Sequence, residues 1–246
     1  MSIRAVPVIY ICALFSLVEL ANAGPPFVTD DPEPPPPGTW EINVPFTIER
    51  SGGKTAMEAP LFDFNYGLPN IQLALQIPIE VSRRSARATE VGPGDMLLGV
   101  KWRFLNNESS QFQLGIYPQL LVPTGNHARD LGEGSPAFLL PIVAQKSWGK
   151  WTAYGNVGFW WQTASKTRNY FIAGAVLERE LSDRLTLGAE FFGNSPRERA
   201  GRADVAFNVG GTFKLNNHLN LLFSGGRGIS GDVTAMGYIG IQILTK

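Results

Sequence analysis

The stretch that decides the fold is WEINVPFTIE, residues 40–49, in which apolar and polar side chains alternate without interruption. Alternation with a period of two predicts a β-strand whose two faces meet different surroundings. A helix would instead repeat its apolar positions every three or four residues. The apolar face of this strand carries Trp40, Ile42, Val44, Phe46 and Ile48.

The same alternation recurs along the rest of the chain. It is regular in four further segments and looser in seven more, so the sequence predicts about twelve strands of about ten residues, the length that a tilted strand needs to cross a bilayer. The regular segments are 62–66, 71–82, 95–104 and 111–122, and the looser ones are 136–145, 151–163, 170–181, 185–194, 202–214, 219–226 and 233–245.

The links between these strands alternate between short and long. Tight, turn-type links are predicted at 67–70, 105–108, 147–150, 181–184 and 215–218. Longer, charged links are predicted at 83–93, 125–135, 164–169, 195–201 and 227–232. This alternation is expected of a closed barrel with its short turns at the periplasmic end and its loops at the outer end.

Alternation alone does not say whether the apolar face points inward, as in a soluble lipocalin-like or jelly-roll protein, or outward into lipid. A secretion signal, an even strand number, asymmetric links and aromatic residues near strand ends all favour the bilayer. We therefore predict an all-β protein whose residues 39–246 form a single transmembrane, up-and-down antiparallel β-barrel of about twelve strands. Its expected location is the bacterial outer membrane, and its expected partners are outer-membrane lipid and the barrel assembly machinery.

Residues 1–23 have the pattern of a signal peptide. Arg4 precedes an apolar stretch over residues 5–18, and Ala21-Asn22-Ala23 is typical of a cleavage site. The single cysteine, Cys12, lies within this segment, so the mature chain is expected to have no disulfide, catalytic thiol or cysteine-ligated metal.

The segment that follows, residues 24–38, is rich in proline and acidic residues. It contains seven prolines and the carboxylates Asp30, Asp31 and Glu33. Proline lacks an amide donor and favours the polyproline II conformation, so we predict an extended, solvated periplasmic leader before the barrel. A Ca²⁺ site on the three carboxylates is a weaker alternative, and the sequence leaves open whether the leader plugs the lumen.

Charge and motifs exclude several function classes. The 21 basic and 21 acidic residues cancel, so no field attracts nucleic acid. No cofactor fingerprint, nucleophile elbow or metalloprotease motif occurs, and no cofactor or metal is expected. A barrel lipid hydrolase would need a histidine. His127, with Asp130 and Ser135 in the same link, is the only arrangement to consider, because His218 falls at the opposite end. We therefore predict that the protein is not an enzyme.

Four short motifs resemble a bacterial outer-membrane transporter family that is named after the meta-pathway of phenol degradation. They are residues 27–32 (FVTDDP), Gly38-x-Trp40-Glu41, residues 94–104 from Gly94-Asp95 to Lys101-Trp102-Arg103-Phe104, and residues 118–126 (PQLLVPTGN). The resemblance implies an outer-membrane barrel that passes small, often aromatic or apolar, compounds. Its leader motif falls on Thr29, Asp30, Asp31, Pro32, Trp40 and Glu41. The chain departs from many such barrels in ending on Lys246 rather than on an aromatic residue.

The predicted function is passive passage of small solutes, with a plugged structural or adhesin-like barrel as the alternative. The lumen should be lined by the polar face of the strands, since a lysine or arginine on the lipid face near the midplane costs about 2–4 kcal/mol. The predicted pore-lining residues are Glu41, Glu49, Asp63, Asn65, Gln72, Gln76, Glu80, Asp95, Lys101, Arg103, Gln113, Tyr117, Gln119, Gln162, Glu178, Glu180, Glu190, Arg202, Asp204, Asn208 and Gln242.

Overall fold

The computed structural model of the chain describes residues 25–84, 88–164, 167–198 and 201–245. The predicted signal peptide, residues 1–23, lies outside the described residues. Among the residues that are described, no helix is both long and apolar enough to cross a membrane. The strand segments are β1 (Trp40–Ser51), β2 (Lys54–Leu68), β3 (Ile71–Arg84), β4 (Glu90–Pro93), β5 (Met96–Asn107), β6 (Phe112–Ile116), β7 (Gln119–Val122), β8 (Ala137–Trp148), β9 (Trp151–Gln162), β10 (Tyr170–Ser182), β11 (Leu185–Asn194), β12 (Asp204–Lys214), β13 (Leu219–Ser230) and β14 (Val233–Leu244).

These segments form one closed antiparallel barrel. Apart from two interruptions, each pairs with its neighbours in chain order, and β1 pairs with β14 to close the sheet. Two strands of the barrel are interrupted: β4 and β5 both pair with β3 on either side of Gly94-Asp95, and β6 and β7 both pair with β8 on either side of Tyr117-Pro118. The 14 segments therefore make 12 barrel strands, and the predicted fold class is confirmed.

The two ends of the barrel differ. At one end, here called the turn end, the links 69–70, 108–111, 149–150, 183–184 and 215–218 have two to four residues. At the other, the loop end, the links are 52–53, 85–89, 123–136, 163–169, 195–203 and 231–232. The predicted long link at 227–232 was wrong, because β13 continues through its glycines to Ser230. A Cβ at Gly228 would overlap the carbonyl oxygen of Val233, so glycine allows the close pairing there.

Two other predicted boundaries also move. The predicted link 83–93 contains the end of β3 and the whole of β4, and the predicted strand 202–214 begins at Asp204. Arg202 is therefore an exposed residue of the link before β12 and not part of the barrel wall. Its neighbours Gly201 and Ala203 are exposed as well, so no apolar face holds this stretch in the sheet.

The outer surface of the barrel is apolar and its interior is polar. Leu98, Val100, Trp102 and Phe104 on β5 are all exposed, whereas Lys101 between them is 3% exposed. The reverse is expected of a water-soluble protein, in which large apolar side chains fill the core. The alternation read from the sequence therefore has its apolar face outside. Aromatic pairs lie near both ends of this surface, with Trp40–Tyr66, Phe138–Trp161 and Phe159–Phe171 centroids at 4.8, 5.5 and 4.6 Å.

Candidate functional site

The proline-rich segment before β1 lies inside the barrel. It enters at the turn end, where the amide of Gly38 donates to the carbonyl oxygen of Gly67 at 2.8 Å. Further in, Gln145 on β8 donates to Glu33 at 3.2 Å. The prediction of a solvated tether was therefore wrong for the described residues 25–38. A segment with few amide donors can run through a narrow lumen without a strand partner, provided that its carboxylates meet complementary groups there.

Lys101 on β5 is the first of two anchors for this segment, which we call the luminal segment. Its Nζ lies 3.3 Å from a carboxylate oxygen of Asp30 and 3.9 Å from one of Asp31. It also lies 5.0 Å from the ring centroid of Tyr117. Asp31 is fully buried, and a buried carboxylate is stable only when a cation or several donors compensate it. Lys101 therefore determines where the acidic part of the luminal segment sits.

Glu190 on β11 is the second anchor. Its two carboxylate oxygens accept the backbone amides of Thr29 at 2.6 Å and of Val28 at 3.2 Å. Asn208 on β12 donates to the same carboxylate at 3.3 Å. Glu190 is 0% exposed, so these amides replace the water that the carboxylate would otherwise bind. A side chain at Gly174 would overlap the Thr29 hydroxyl, so this glycine leaves room for the segment.

Polar side chains fill the space between the luminal segment and the wall in the turn-end half. Donor and acceptor pairs join neighbouring strands across the lumen wall. The direct bonds are Asn43 to Asp63 at 3.0 Å, Gln72 to Asn65 at 2.6 Å, Arg103 to Gln113 at 3.0 Å and Asn220 to Gln242 at 2.7 Å. Many predicted pore-lining residues thus pack as a polar core.

The loop-end half of the lumen is hollow. Two cavities of about 410 and 690 Å³ share the lining residues Thr47, Glu49, Glu58, Trp160 and Arg197, so they form one vestibule. Residues 26–30 of the luminal segment lie at its floor. The wall contributed by β8 to β11 and β14 is largely apolar and aromatic, with Leu139, Trp160, Tyr170, Ile172, Phe192, Met236 and Tyr238.

Arg197 and the aromatic rings form one side of the vestibule. The Trp160 and Tyr170 rings are stacked with centroids 6.2 Å apart, and the Arg197 guanidinium lies 5.1 Å from the Tyr170 ring centroid. Carboxylates stand on the side of β1 to β3, where Glu58 accepts the Thr47 hydroxyl at 2.9 Å. The vestibule therefore offers flat apolar surface together with separated charges of both signs.

The longest link, residues 123–136, is fastened to the interruption between β4 and β5. The Asp95 carboxylate accepts the amides of Gly125 at 2.9 Å and Glu133 at 2.6 Å. The Thr124 hydroxyl donates to the carbonyl oxygen of Gly94 at 2.9 Å. A β-carbon at Gly132 would overlap Asp95, and this residue has a φ of +94°, which favours glycine. Two of the motifs that resemble the transporter family, residues 94–104 and 118–126, thus meet at this point.

We expect Asp95→Ala to loosen this link. The substitution removes the acceptor of two backbone amides, and each hydrogen bond to a charged group contributes about 1.5–3 kcal/mol. Trypsin should therefore cut the purified, folded protein after Arg129 at least about tenfold faster than it cuts the wild type. The control is Asp204→Ala, since Asp204 accepts the Asp232 amide at 2.7 Å in another link. Equal cleavage at Arg129 in all three proteins would contradict the assigned role of Asp95.

The structure places the predicted pore-lining residues in three groups. Asp63, Asn65, Gln72, Asp95, Lys101, Tyr117, Gln119, Glu178, Glu190, Asn208 and Gln242 are buried inside the barrel. Glu49, Gln76, Glu80, Asp95, Gln119, Gln162 and Asn208 line the vestibule. Of the others, Glu41, Arg103, Gln113 and Asp204 form hydrogen bonds on the inner face, Glu180 is half-buried, and Arg202 lies in a link. Their role in solute passage stays a prediction.

Sequence reasoning missed the aromatic side of the vestibule. Aromatic residues near strand ends, such as Trp160, predict a girdle at the membrane surface, and the sequence predicts no role for Tyr170 or Phe192, whereas all three line the vestibule. The signal that could have found them is strand phase: Trp160 lies on the same face of β9 as Asn156 and Gln162. Arg197 falls in a link and carried no such signal.

The acidic residues of the luminal segment and the two histidines were the other candidates for a metal or catalytic site. No group of three or more metal-ligating side chains occurs in it. Asp30 accepts a hydrogen bond from Lys101, and Glu33 accepts one from Gln145. The two histidines lie at opposite ends of the barrel, with His127 Nδ1 3.2 Å from the Gly132 carbonyl oxygen and His218 Nδ1 3.0 Å from that of Leu244.

Solved structures similar to this one are barrels of the outer-membrane type. An outer-membrane channel from Pseudomonas putida F1 has a TM-score of 0.73 at 17% identity, over 87% of this chain and 98% of that chain. The KdgM porin, in complex with disordered oligogalacturonate, has a TM-score of 0.57 at 9% identity, over 82% and 98%. The translocator domain of autotransporter NalP from Neisseria meningitidis has a TM-score of 0.51 at 14% identity, over 83% and 87%.

No curated protein matches the sequence. A family model does match, over residues 22–239, and this range contains the luminal segment, both strand interruptions and almost the whole barrel. The four motifs that resemble the transporter family all lie inside it. The chain therefore belongs to the family described as "Putative MetA-pathway of phenol degradation".

Proposed function

We propose that the protein is an outer-membrane channel that admits small apolar or aromatic solutes to its loop-end vestibule. The observation that carries this proposal is the vestibule itself, which is open at one end and closed at its floor by the luminal segment. Its two parts, of about 410 and 690 Å³, match the size of small-molecule sites. Family membership and the barrel fold support the channel class, and the outer membrane is the location that suits an apolar outer surface.

The chemistry of the wall favours aromatic solutes over sugars. Trp160, Tyr170 and Phe192 offer ring faces and edges, which bind other rings through offset stacking and apolar burial. Sugars need a dense set of paired donors and acceptors, and the polar residues of the turn-end half already bond to one another. A planar solute with few polar groups therefore fits this vestibule best.

Liposome swelling tests the proposal. Vesicles containing the full-length protein should admit small aromatic alcohols and acids faster than sugars or amino acids of similar mass. Trp160→Ala should lower the aromatic rate by about threefold to tenfold, since an aromatic contact contributes about 0.5–1.5 kcal/mol. Trp161→Ala is the matched control, because the neighbouring Trp161 is exposed on the outer surface. A sugar preference, or equal losses in both variants, would contradict the proposal.

The second candidate is a plugged structural or adhesin-like barrel. The packing of the luminal segment against Lys101 and Glu190 favours it, because both anchors are buried where they hold the segment inside the lumen. Single-channel recording in planar bilayers separates the two functions. A channel should show conductance that increases when an anchor is removed, whereas a structural barrel should stay closed in every assembled variant.

We expect the loop end to face the cell exterior. Trypsin added to intact cells should cut after Arg129, whose side chain is half exposed in the link 123–136. It should spare Lys150 and Arg184, which lie in turns at the opposite end. The fragments can be mapped by mass spectrometry, with lysed cells as the control in which all sites are accessible. Cleavage at Lys150 in sealed cells would reverse the orientation.

A further inference from the structure

Three arginines stand in one row on the outer surface of the barrel near its loop end. They are Arg50 on β1, Arg83 on β3 and Arg227 on β13, and all three are exposed. Each lies on the apolar face of its strand, in phase with outward residues such as Ile48, Val81 and Ile229. A charged residue on this face is costly near the bilayer centre, so its place is at the level of the lipid headgroups.

The strand register puts the three in line. Arg50 pairs with Thr55, and Thr55 pairs with Arg83. On the other side Arg50 pairs with Ala235, and the β13–β14 register ends with Gly226 paired with Met236, which are the residues next to Arg227 and Ala235. Successive arginines are thus two strands apart, roughly 10 Å. The residues between them, Thr55 and Ala235, are small and leave the guanidinium groups accessible.

The guanidinium groups of these arginines have no hydrogen-bond or ion-pair partner among the described residues. Other loop-end arginines do: Arg84 lies 2.9 Å from Asp130, and Arg129 lies 2.6 Å from Glu90. The outward residues next to the row toward the bilayer centre, Ile48, Met57 and Val81, are uncharged. Within the described ranges, no carboxylate forms an ion pair with the row, which leaves these guanidinium groups available to an anion from outside the protein.

We propose that Arg50, Arg83 and Arg227 form a binding surface for the phosphate groups of a phosphorylated glycolipid in the outer leaflet. Guanidinium is planar, always charged and bonds phosphate in a two-pronged geometry, so it suits this ligand better than lysine. A row along the barrel wall, at headgroup level, lets one lipid or two adjacent lipids engage several arginines at once. This inference rests on the outer-membrane location in the proposed function, but not on solute passage.

The experiment is native mass spectrometry of the full-length barrel in detergent micelles. The probes are bisphosphorylated lipid A and the same lipid after enzymatic removal of both phosphates. We expect the wild type to bind the phosphorylated form at least about tenfold more tightly, and R50Q/R83Q/R227Q to lose that preference, because each cation near an anionic headgroup contributes about 1 kcal/mol. K146Q/R179Q, which removes two outward cations at the turn end, is the matched control and should keep the preference.

Each outcome decides the inference. Equal binding of the two lipid forms, or an unchanged preference in the triple variant, would overturn it. Displacement of the lipid by millimolar inorganic phosphate would show a free-anion site and overturn it as well. Heat-modifiable gel migration confirms that each variant is folded. If the triple variant does not assemble, Arg50→Gln alone should lower the preference about fivefold. Failure of solute flux in zwitterionic vesicles would leave the lipid result unaffected.

Discussion

Replacing Lys101 by glutamate is expected to expel the luminal segment and to raise single-channel conductance severalfold. The change puts a third carboxylate beside Asp30 and the fully buried Asp31, and loss of a buried ion pair costs about 3–5 kcal/mol. A shift of that size changes the population of a displaced segment by more than about a hundredfold. The open lumen should also become more selective for cations. Recording in planar bilayers measures both effects.

A charge swap separates repulsion from general damage. Lys101→Glu with Asp30→Lys restores an ion pair with reversed sign, and Asp30 is the carboxylate nearest to Lys101 at 3.3 Å. The double variant should therefore return toward the low conductance of the wild type. All variants should keep heat-modifiable gel migration, since the lumen and not the lipid face is altered. If the double variant kept a high conductance, or if Lys101→Glu showed no increase in conductance, Lys101 would not hold the luminal segment in place.

Replacing the adjacent residue, Val100, by arginine is expected to impair assembly instead. Val100 is 45% exposed on the outer surface, between Leu98 and Trp102 in phase and opposite Leu73 on β3. An arginine near the midplane of the bilayer costs about 2–4 kcal/mol. The amount of heat-modifiable protein recovered from the membrane should fall severalfold, and the midpoint of urea unfolding in lipid vesicles should fall as well.

Val100→Leu is the control for this position, because it keeps an apolar side chain on the same face. It should assemble as the wild type does. Substitutions at these two adjacent residues are thus expected to change different properties. Lys101→Glu alters conduction, and Val100→Arg alters assembly. If Val100→Arg assembled normally and Lys101→Glu did not, the two faces of β5 would be reversed, and a barrel with an apolar interior would be the correct architecture.

The barrel could be predicted from the sequence because its decisive signal is local. Each strand carries its own alternation, as in residues 40–49, and the tight turns carry glycine and asparagine at positions such as Asn70, which has a φ of +60°. Strand number, pairing order and the direction of the apolar face follow from these signals together with a secretion signal. Interruptions of one barrel strand, as at Gly94-Asp95, leave the alternation on either side intact.

The luminal segment could not be placed in the same way. Its prolines predict a backbone without strand pairing, and the segment forms no strand in the structure. The choice between solvent and lumen, however, depends on groups far away in sequence. Glu190 and Lys101 lie more than 70 residues from Asp30. The sequence next to either residue does not indicate that it contacts the luminal segment. Long-range charge compensation of this kind has no periodic signature, so composition favoured the solvated interpretation.

The vestibule was missed in part for a related reason. Aromatic residues near strand ends predict a membrane girdle, and Trp161 does lie on the outer surface. Its neighbour Trp160 points inward, where it lines the vestibule. Adjacent tryptophans on opposite faces give the same average hydrophobicity, and only the phase relative to Gln162 separates them.

The luminal segment is joined to β1 through residues 38 and 39, and it enters the lumen from the turn end. In the proposed channel, a solute arriving from the loop end therefore competes with a ligand on the same polypeptide. The effective concentration of the luminal segment at its site in the lumen is fixed by the short connection to β1. It lies in the millimolar range or above and does not vary with the amount of protein in the membrane. Closure is thus a first-order process, restored after each displacement without an encounter between molecules. The threshold for opening depends on the affinity of Lys101 and Glu190 for the segment, and not on the abundance of an inhibitor.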